Sequence, residues 1–165
     1  MSLSLTQFTR SLKVYPSNYD IPSPYVLTTG YQEETPDCGE LGCILSSEAQ
    51  FQTRGVSVGD IVYVFDGVTF AFVTVVSALG ENSYVWTADS INYGNTFIIY
   101  QQSALSGLGN QGCFLMSTLD NITINVETLS GDSIPSAILS ANDVFPIQVR
   151  KLFSNTNNEA IYALW

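Results

Sequence analysis

Histidine is absent from the chain, and lysine occurs only at Lys13 and Lys151. The commonest general base and the imidazole metal ligand are therefore missing, and amine nucleophiles nearly so. This inventory argues against an enzyme, and no residue is singled out as catalytic. Charge is scarce as well. Only 12% of residues are charged, and 15 acidic against 5 basic side chains leave a net charge of −10. Such a surface repels nucleic acid phosphates and anionic lipid, so neither nucleic acid nor a membrane is expected as a partner. Long hydrophobic runs are lacking too. The longest apolar stretch, Phe70 to Val76, is interrupted by Thr74 and falls far short of the roughly 20 residues that span a bilayer. The start, Met1 to Arg10, has no cationic segment followed by an apolar run and no small-residue cleavage site. The expectation is a soluble protein made in a cytoplasm.

Cysteines are few and odd in number: Cys38, Cys43 and Cys113. A disulfide-built secreted fold shows an even and denser set, so reduced thiols are expected. Zinc wants about four Cys or His ligands at characteristic spacing, which these three do not supply. The acidic group Glu33, Glu34, Asp37 and Glu40 lacks the spacing of a calcium-binding loop and reads as a solvated acidic loop. No metal or other cofactor is expected.

What the chain does have is 45% apolar and 12% aromatic residues, enough for a folded core. Its grammar divides into three stretches. Residues 1–50 are punctuated by Tyr15-Pro-Ser-Asn18, Pro22-Ser-Pro24 and Thr35-Pro-Asp-Cys-Gly39, the mark of an extended N-terminal arm with loops. Such an arm, with too many breaks for a core of its own, is expected to become ordered by packing along a neighbour. Residues 51–102 read as a small β module. Ile61–Phe65 and Thr69–Val76 flank Asp66-Gly67 as a hairpin, and Tyr84–Ala88 and Thr96–Tyr100 follow as strands. Residues 103–165 repeat the pattern with Cys113–Met116 and with Ile122–Thr128, where Ile122, Ile124 and Val126 alternate with polar residues.

Near the end Phe145, Ile147 and Val149 alternate with Pro146, Gln148 and Arg150. Because Pro146 cannot donate to a ladder, this strand is expected to begin there or to lie at an edge open to a partner. The chain then closes on the apolar run Ala160–Trp165. Phe145, Ile147, Val149, Leu164 and Trp165 are the candidate subunit-interface residues. Only Leu41–Phe51 could hold a short helix, so the expected fold is all-β: small antiparallel barrel or sandwich modules with an extended N-terminal arm.

Several patterns imitate chemistry. Gly107-Leu-Gly109-Asn-Gln-Gly112 has the spelling of a dinucleotide site, but Cys113-Phe-Leu-Met116 after it is too short and apolar for the required helix, so a loop is expected. Asn121-Ile-Thr123 fits a glycosylation acceptor but, without secretion, reads as a strand start. Acid pairs such as Asp60 and Asp66 suggest glycoside hydrolysis, yet a strand start and a turn are ordinary structural posts for aspartate. The tyrosines and tryptophans could stack on sugars, though core packing explains them equally well.

Two groups of residues carry a family resemblance. The first is Phe51–Tyr63 with Val73–Val76, Ala88-Asp89 and Phe97–Tyr100, which resembles a small β module of virion proteins in tailed phages, marine cyanophages in particular. The second is Gly112–Met116, Ile122–Val126, Phe145–Phe153 and Ala160–Trp165, which looks like the head spike base proteins of phages and gene transfer agents. The resemblance implies a non-enzymatic structural protein of a bacteriophage virion, a capsid spike base or decoration protein, assembled in the host cytoplasm. It implies a symmetric homo-oligomer, a pentamer before a trimer because such relatives sit on fivefold vertices. The implied partners are other copies of the chain and other virion proteins such as the major capsid protein or a fibre. The long arm and the middle module depart from the spike base pattern, which leaves open a neck, tail or baseplate component, or a receptor- or glycan-binding module of a fibre.

Overall fold

The computed structural model describes residues 8–34, 42–105, 112–157 and 159–165. Among these residues there is no α-helix, only a short 3-10 turn at Ser103–Leu105 and twelve strands, and every pairing between strands is antiparallel. The chain is all-β, as its period-2 alternation requires. No described helix is long and apolar enough to cross a membrane. The strands fall into two compact units that do not follow the three stretches read from the sequence. One unit joins residues up to Pro24 with Ser103–Trp165; the other is Tyr25–Gln102, a single insertion into the first. The segment 1–50 is therefore not one arm, since its described parts are divided between the two units.

The inserted unit is one six-stranded sheet. Its strands are β2 (Val26–Tyr31), β3 (Gly42–Leu45), β4 (Ile61–Asp66), β5 (Thr69–Leu79), β6 (Tyr84–Thr87) and β7 (Thr96–Tyr100), in the order β2-β7-β4-β5-β6-β3. Where a short helix was thinkable, at Leu41–Phe51, the described residues form β3 and turns, because Gly42, Cys43 and Ile44 are buried against β6. The β4–β5 hairpin turns at Gly67-Val68, with Asp66 paired to Thr69. Gly67 has φ +62° at the first central position, where a two-residue loop with one left-handed residue needs glycine. Inside lie Phe51, Val62, Val64, Val76, Phe97 and Ile99, with the Phe51 and Phe97 rings 6.0 Å apart. Burying side chains of this size contributes about 1.5–3 kcal/mol each.

The curled sheet brings its two edges together. Gln32, just past β2, is fully buried, and its side-chain amide donates to the Cys43 carbonyl (3.2 Å) and accepts from the Leu45 amide (2.9 Å). The Glu33 amide adds a bond to the Leu45 carbonyl at 3.0 Å. A side chain thus stands in for a ladder between β2 and β3, satisfying backbone groups that an open edge would leave bare.

The first unit holds two three-stranded sheets. One is β1 (Ser11–Lys13), β12 (Ile161–Leu164) and β8 (Phe114–Ser117), in the order β1-β12-β8. The other is β10 (Ser133–Leu139), β9 (Ile122–Thr128) and β11 (Val149–Asn155), in the order β10-β9-β11. Their core includes Leu115, Ile124, Val126, Leu152, Ile161 and Ala163. In β9 the alternation read from the sequence is realised, with Ile122, Ile124 and Val126 buried and Thr123, Asn125 and Glu127 only half so.

The described N-terminal residues belong to this unit's own fabric. The Val14 amide donates to the Ile161 carbonyl, Ser17 to Leu152 and Ile21 to Arg150, at 2.7–3.0 Å, while Val14 and Ile21 enter the core. The expectation that a neighbour must order this segment is corrected: β11 and β12 supply its partners.

Candidate functional site

The residues singled out from the sequence do not converge on one site. Asp60 and Asp66 stand at opposite ends of β4, six residues apart, which is about 20 Å at roughly 3.3 Å per extended residue. A glycosidase pair requires roughly 5–10 Å. Asp60 is fully buried, and its two carboxylate oxygens accept from the Ser57 amide (2.7 Å) and the Gln102 amide (2.9 Å). Burial raises its pKa, and the bonds from Gln102 and Ser57 partly offset that rise. Its role in this geometry is to fasten the loop before β4 to the last residue of the inserted unit.

Cys43 is disulfide-bonded, which corrects the expectation of reduced thiols; Cys38 lies outside the described residues. Cys113 is a free, buried thiol whose pKa is pushed up by desolvation. Of the acidic group, Asp37 and Glu40 lie outside the described residues. Glu33 accepts from the Ser47 amide and hydroxyl at 2.7 and 2.6 Å. No group of three metal-ligating side chains occurs among the described residues. Of the dinucleotide-like spelling only Gly112 is described, in a left-handed turn (φ +63°) beside the Val149 carbonyl.

The candidate interface residues separate into two sets. Val149 (0% exposed) and Leu164 (4%) are core of their own unit, and Trp165 and Phe145 pack partly against that core. Ile147 alone is well exposed, at 40%. The expected strand from Phe145 is also displaced: Phe145–Gln148 is irregular, and β11 begins only at Val149. The segment is nevertheless fixed. The Phe145 amide bonds the Leu115 carbonyl (2.7 Å), Cys113 and Val149 exchange a pair of amide bonds, and the Leu129 amide reaches the Gln148 carbonyl (3.0 Å). Pro146 and Ile147 are thereby held outward as a ridge.

Opposite this ridge lies β10, an edge strand the sequence reading did not mark. Pro135 sits within it, Ser136 takes φ +54°, and the register against β9 shifts between Ile134 and Ala137. A proline and a bulge are the ordinary means of blunting an edge. Two concavities share β10 and the ridge as walls. The larger, about 610 Å³, is an open concavity lined by Ile134, Ile147 and Gln148 and, at the hairpin tip, by Thr128, Leu129, Ser130 and Asp132. The smaller, about 190 Å³, lies between Ile138 and Phe145 and has Asp143 at its rim. At the hairpin tip the Ser130 hydroxyl donates to the Asp132 carboxylate (2.8 Å) and accepts from the Thr128 hydroxyl (2.9 Å). A third groove, about 380 Å³, runs over β1, β12 and β8 between Phe8, Arg10, Met116 and Tyr162.

Comparison with family models, curated proteins and solved structures finds no match for this chain in any of the three.

Proposed function

We propose that the chain is a non-enzymatic structural protein of a bacteriophage virion, a capsid spike base or decoration protein that self-assembles symmetrically and attaches to the particle. The observation that carries this reading is the insertion. The residues that resemble a spike base, Gly112–Met116, Ile122–Val126, Phe145–Phe153 and Ala160–Trp165, contribute to β8, β9, β11 and β12 of one unit. The middle module joins that unit through neighbouring chain crossings, since the Gln101 amide bonds the Tyr25 carbonyl at 2.9 Å. A base that grips and a module that is carried is the division of labour a particle-bound protein needs, and repeated weak contacts gain strength through symmetry. Its partners on this reading are other copies of itself and other virion proteins such as the major capsid protein or a fibre.

A reconstruction of the particle that produces this chain tests the proposal. Density for the chain at capsid vertices or on the shell supports it, and a tail or baseplate position moves the chain to a different part of the same particle. Absence from purified particles whose other components are all accounted for overturns it.

A further inference from the structure

We infer that the groove between Ile134 and Ile147 is a docking site for a lysine- or arginine-bearing extended segment of another protein, on the above reading another protein of the particle. The groove's apolar lining is Ile134, Leu129 and Ile147, and its polar lining offers acceptors: the Asp132 carboxylate, the Ser130 and Thr128 hydroxyls and the Gln148 amide oxygen. That combination matches a long cationic side chain, whose methylene stem lies on apolar surface while its head meets oxygen. No Lys or Arg lines this concavity or its smaller neighbour, where Asp143 is the charged residue. Among the described residues the ion pairs are Arg150–Glu127 and Lys151–Asp20, so neither Asp132 nor Asp143 is neutralised by a cation of the chain itself.

Two further observations choose the occupant. A second copy offers few cations for this groove, because the chain has 5 basic residues against 15 acidic ones and Arg150 and Lys151 are already paired with Glu127 and Asp20. The free edge of β10 is also spoiled for strand addition, because Pro135 offers no amide and the bulge at Ser136 breaks the register. Recognition must therefore come from side chains entering the two concavities, and the charge they lack is positive.

The test is titration of the whole protein, followed at the Ile134 and Ile147 methyl groups by NMR. The probe is an end-blocked Ser-Val-Lys-Val-Ser peptide, with norleucine or glutamate replacing lysine as controls. Saturable shifts confined to these methyls with the lysine peptide are expected, at least tenfold weaker with either control and in 0.5 M NaCl. Asp132→Asn and, on the opposite wall, Ile147→Ser should each weaken binding several-fold, while the remaining methyl spectrum stays in place. The inference fails if the lysine peptide produces no saturable shift, if glutamate serves as well as lysine, or if Ile147→Ser binds like the parent. Those outcomes leave the particle reading intact. A chain that binds the lysine peptide but is missing from particles overturns that reading and spares the groove.

Discussion

The backbone amide of Gln101 donates to the carbonyl of Tyr25 across 2.9 Å, and Val26 pairs with Tyr100 in the ladder beside them. The two ends of the inserted unit are thus adjacent strands of one sheet. An insertion whose ends meet imposes little closure cost on its host, and it carries its own core. Residues 25–102 expressed alone should give a β-dominated circular dichroism spectrum and a single cooperative thermal transition. A broad, non-cooperative melt would show that the core is incomplete without the host.

Gln32 closes the curled sheet, and its replacement should be costly. Gln32→Leu leaves the Cys43 carbonyl and the Leu45 amide buried without these partners, at about 1–3 kcal/mol for each orphaned group. Gln32→Glu should be no milder, because a carboxylate has no hydrogen for the Cys43 carbonyl. Urea midpoints of the isolated inserted unit measure this. A loss below about 0.5 kcal/mol would mean that the edges are held by other contacts.

Asp60 should give the inserted unit a distinctive pH dependence. Its pKa is raised in the folded state, so folding binds its proton more tightly than the unfolded chain does. The stability it contributes is complete below the ordinary carboxylate pKa and is lost as pH rises through the raised value. Asp60→Asn removes that slope and also sets an amide hydrogen against one of the two backbone donors, at about 1–3 kcal/mol. The difference between wild-type and variant denaturation curves from pH 3.5 to 7 isolates this group, since the other carboxylates cancel. A difference that is flat with pH contradicts the assignment.

The last two residues should matter for folding before they matter for assembly. Leu164 is buried, and the Trp165 amide bonds the Arg10 carbonyl while its own carbonyl accepts from Thr9 and Arg10. Leu164→Ala should cost about 2–5 kcal/mol, and deletion of both residues should untie β1 from β12. Light scattering of the deletion should then show aggregate, with loss of native β signal. A folded, soluble deletion that merely changes oligomeric size would return these residues to the subunit interface.

Cys113 should be inert in the native state, because it is fully buried and its thiolate is disfavoured by desolvation. A thiol reagent should modify it only at the rate of unfolding. Rapid labelling of Cys113 under native conditions, located by mass spectrometry, would contradict its burial.

The elements legible in the sequence are those whose pattern is local. The β4–β5 hairpin, β7 and β9 carry alternation, β-branched residues and turn glycine within a few positions, and they appear where the pattern puts them. β10 escaped notice because Pro135 and Ser136 interrupt its alternation, and those residues are what make it a blunted edge. β1, β2 and β3 have little pattern of their own and exist because a distant strand offers a ladder.

By itself the sequence determined an all-β chain without the imidazole chemistry of most active sites and with strong negative charge, because composition and period-2 alternation do not depend on which strands meet. Tertiary structure decided the rest. It nested one unit inside the other, buried Val149 and Leu164 while lifting Ile147 onto a ridge, and set that ridge across a groove from Ile134. Each of these depends on pairings between residues far apart in the chain, such as Cys113 with Val149 and Leu12 with Ala163, and no local pattern encodes a pairing whose partner lies dozens of residues away.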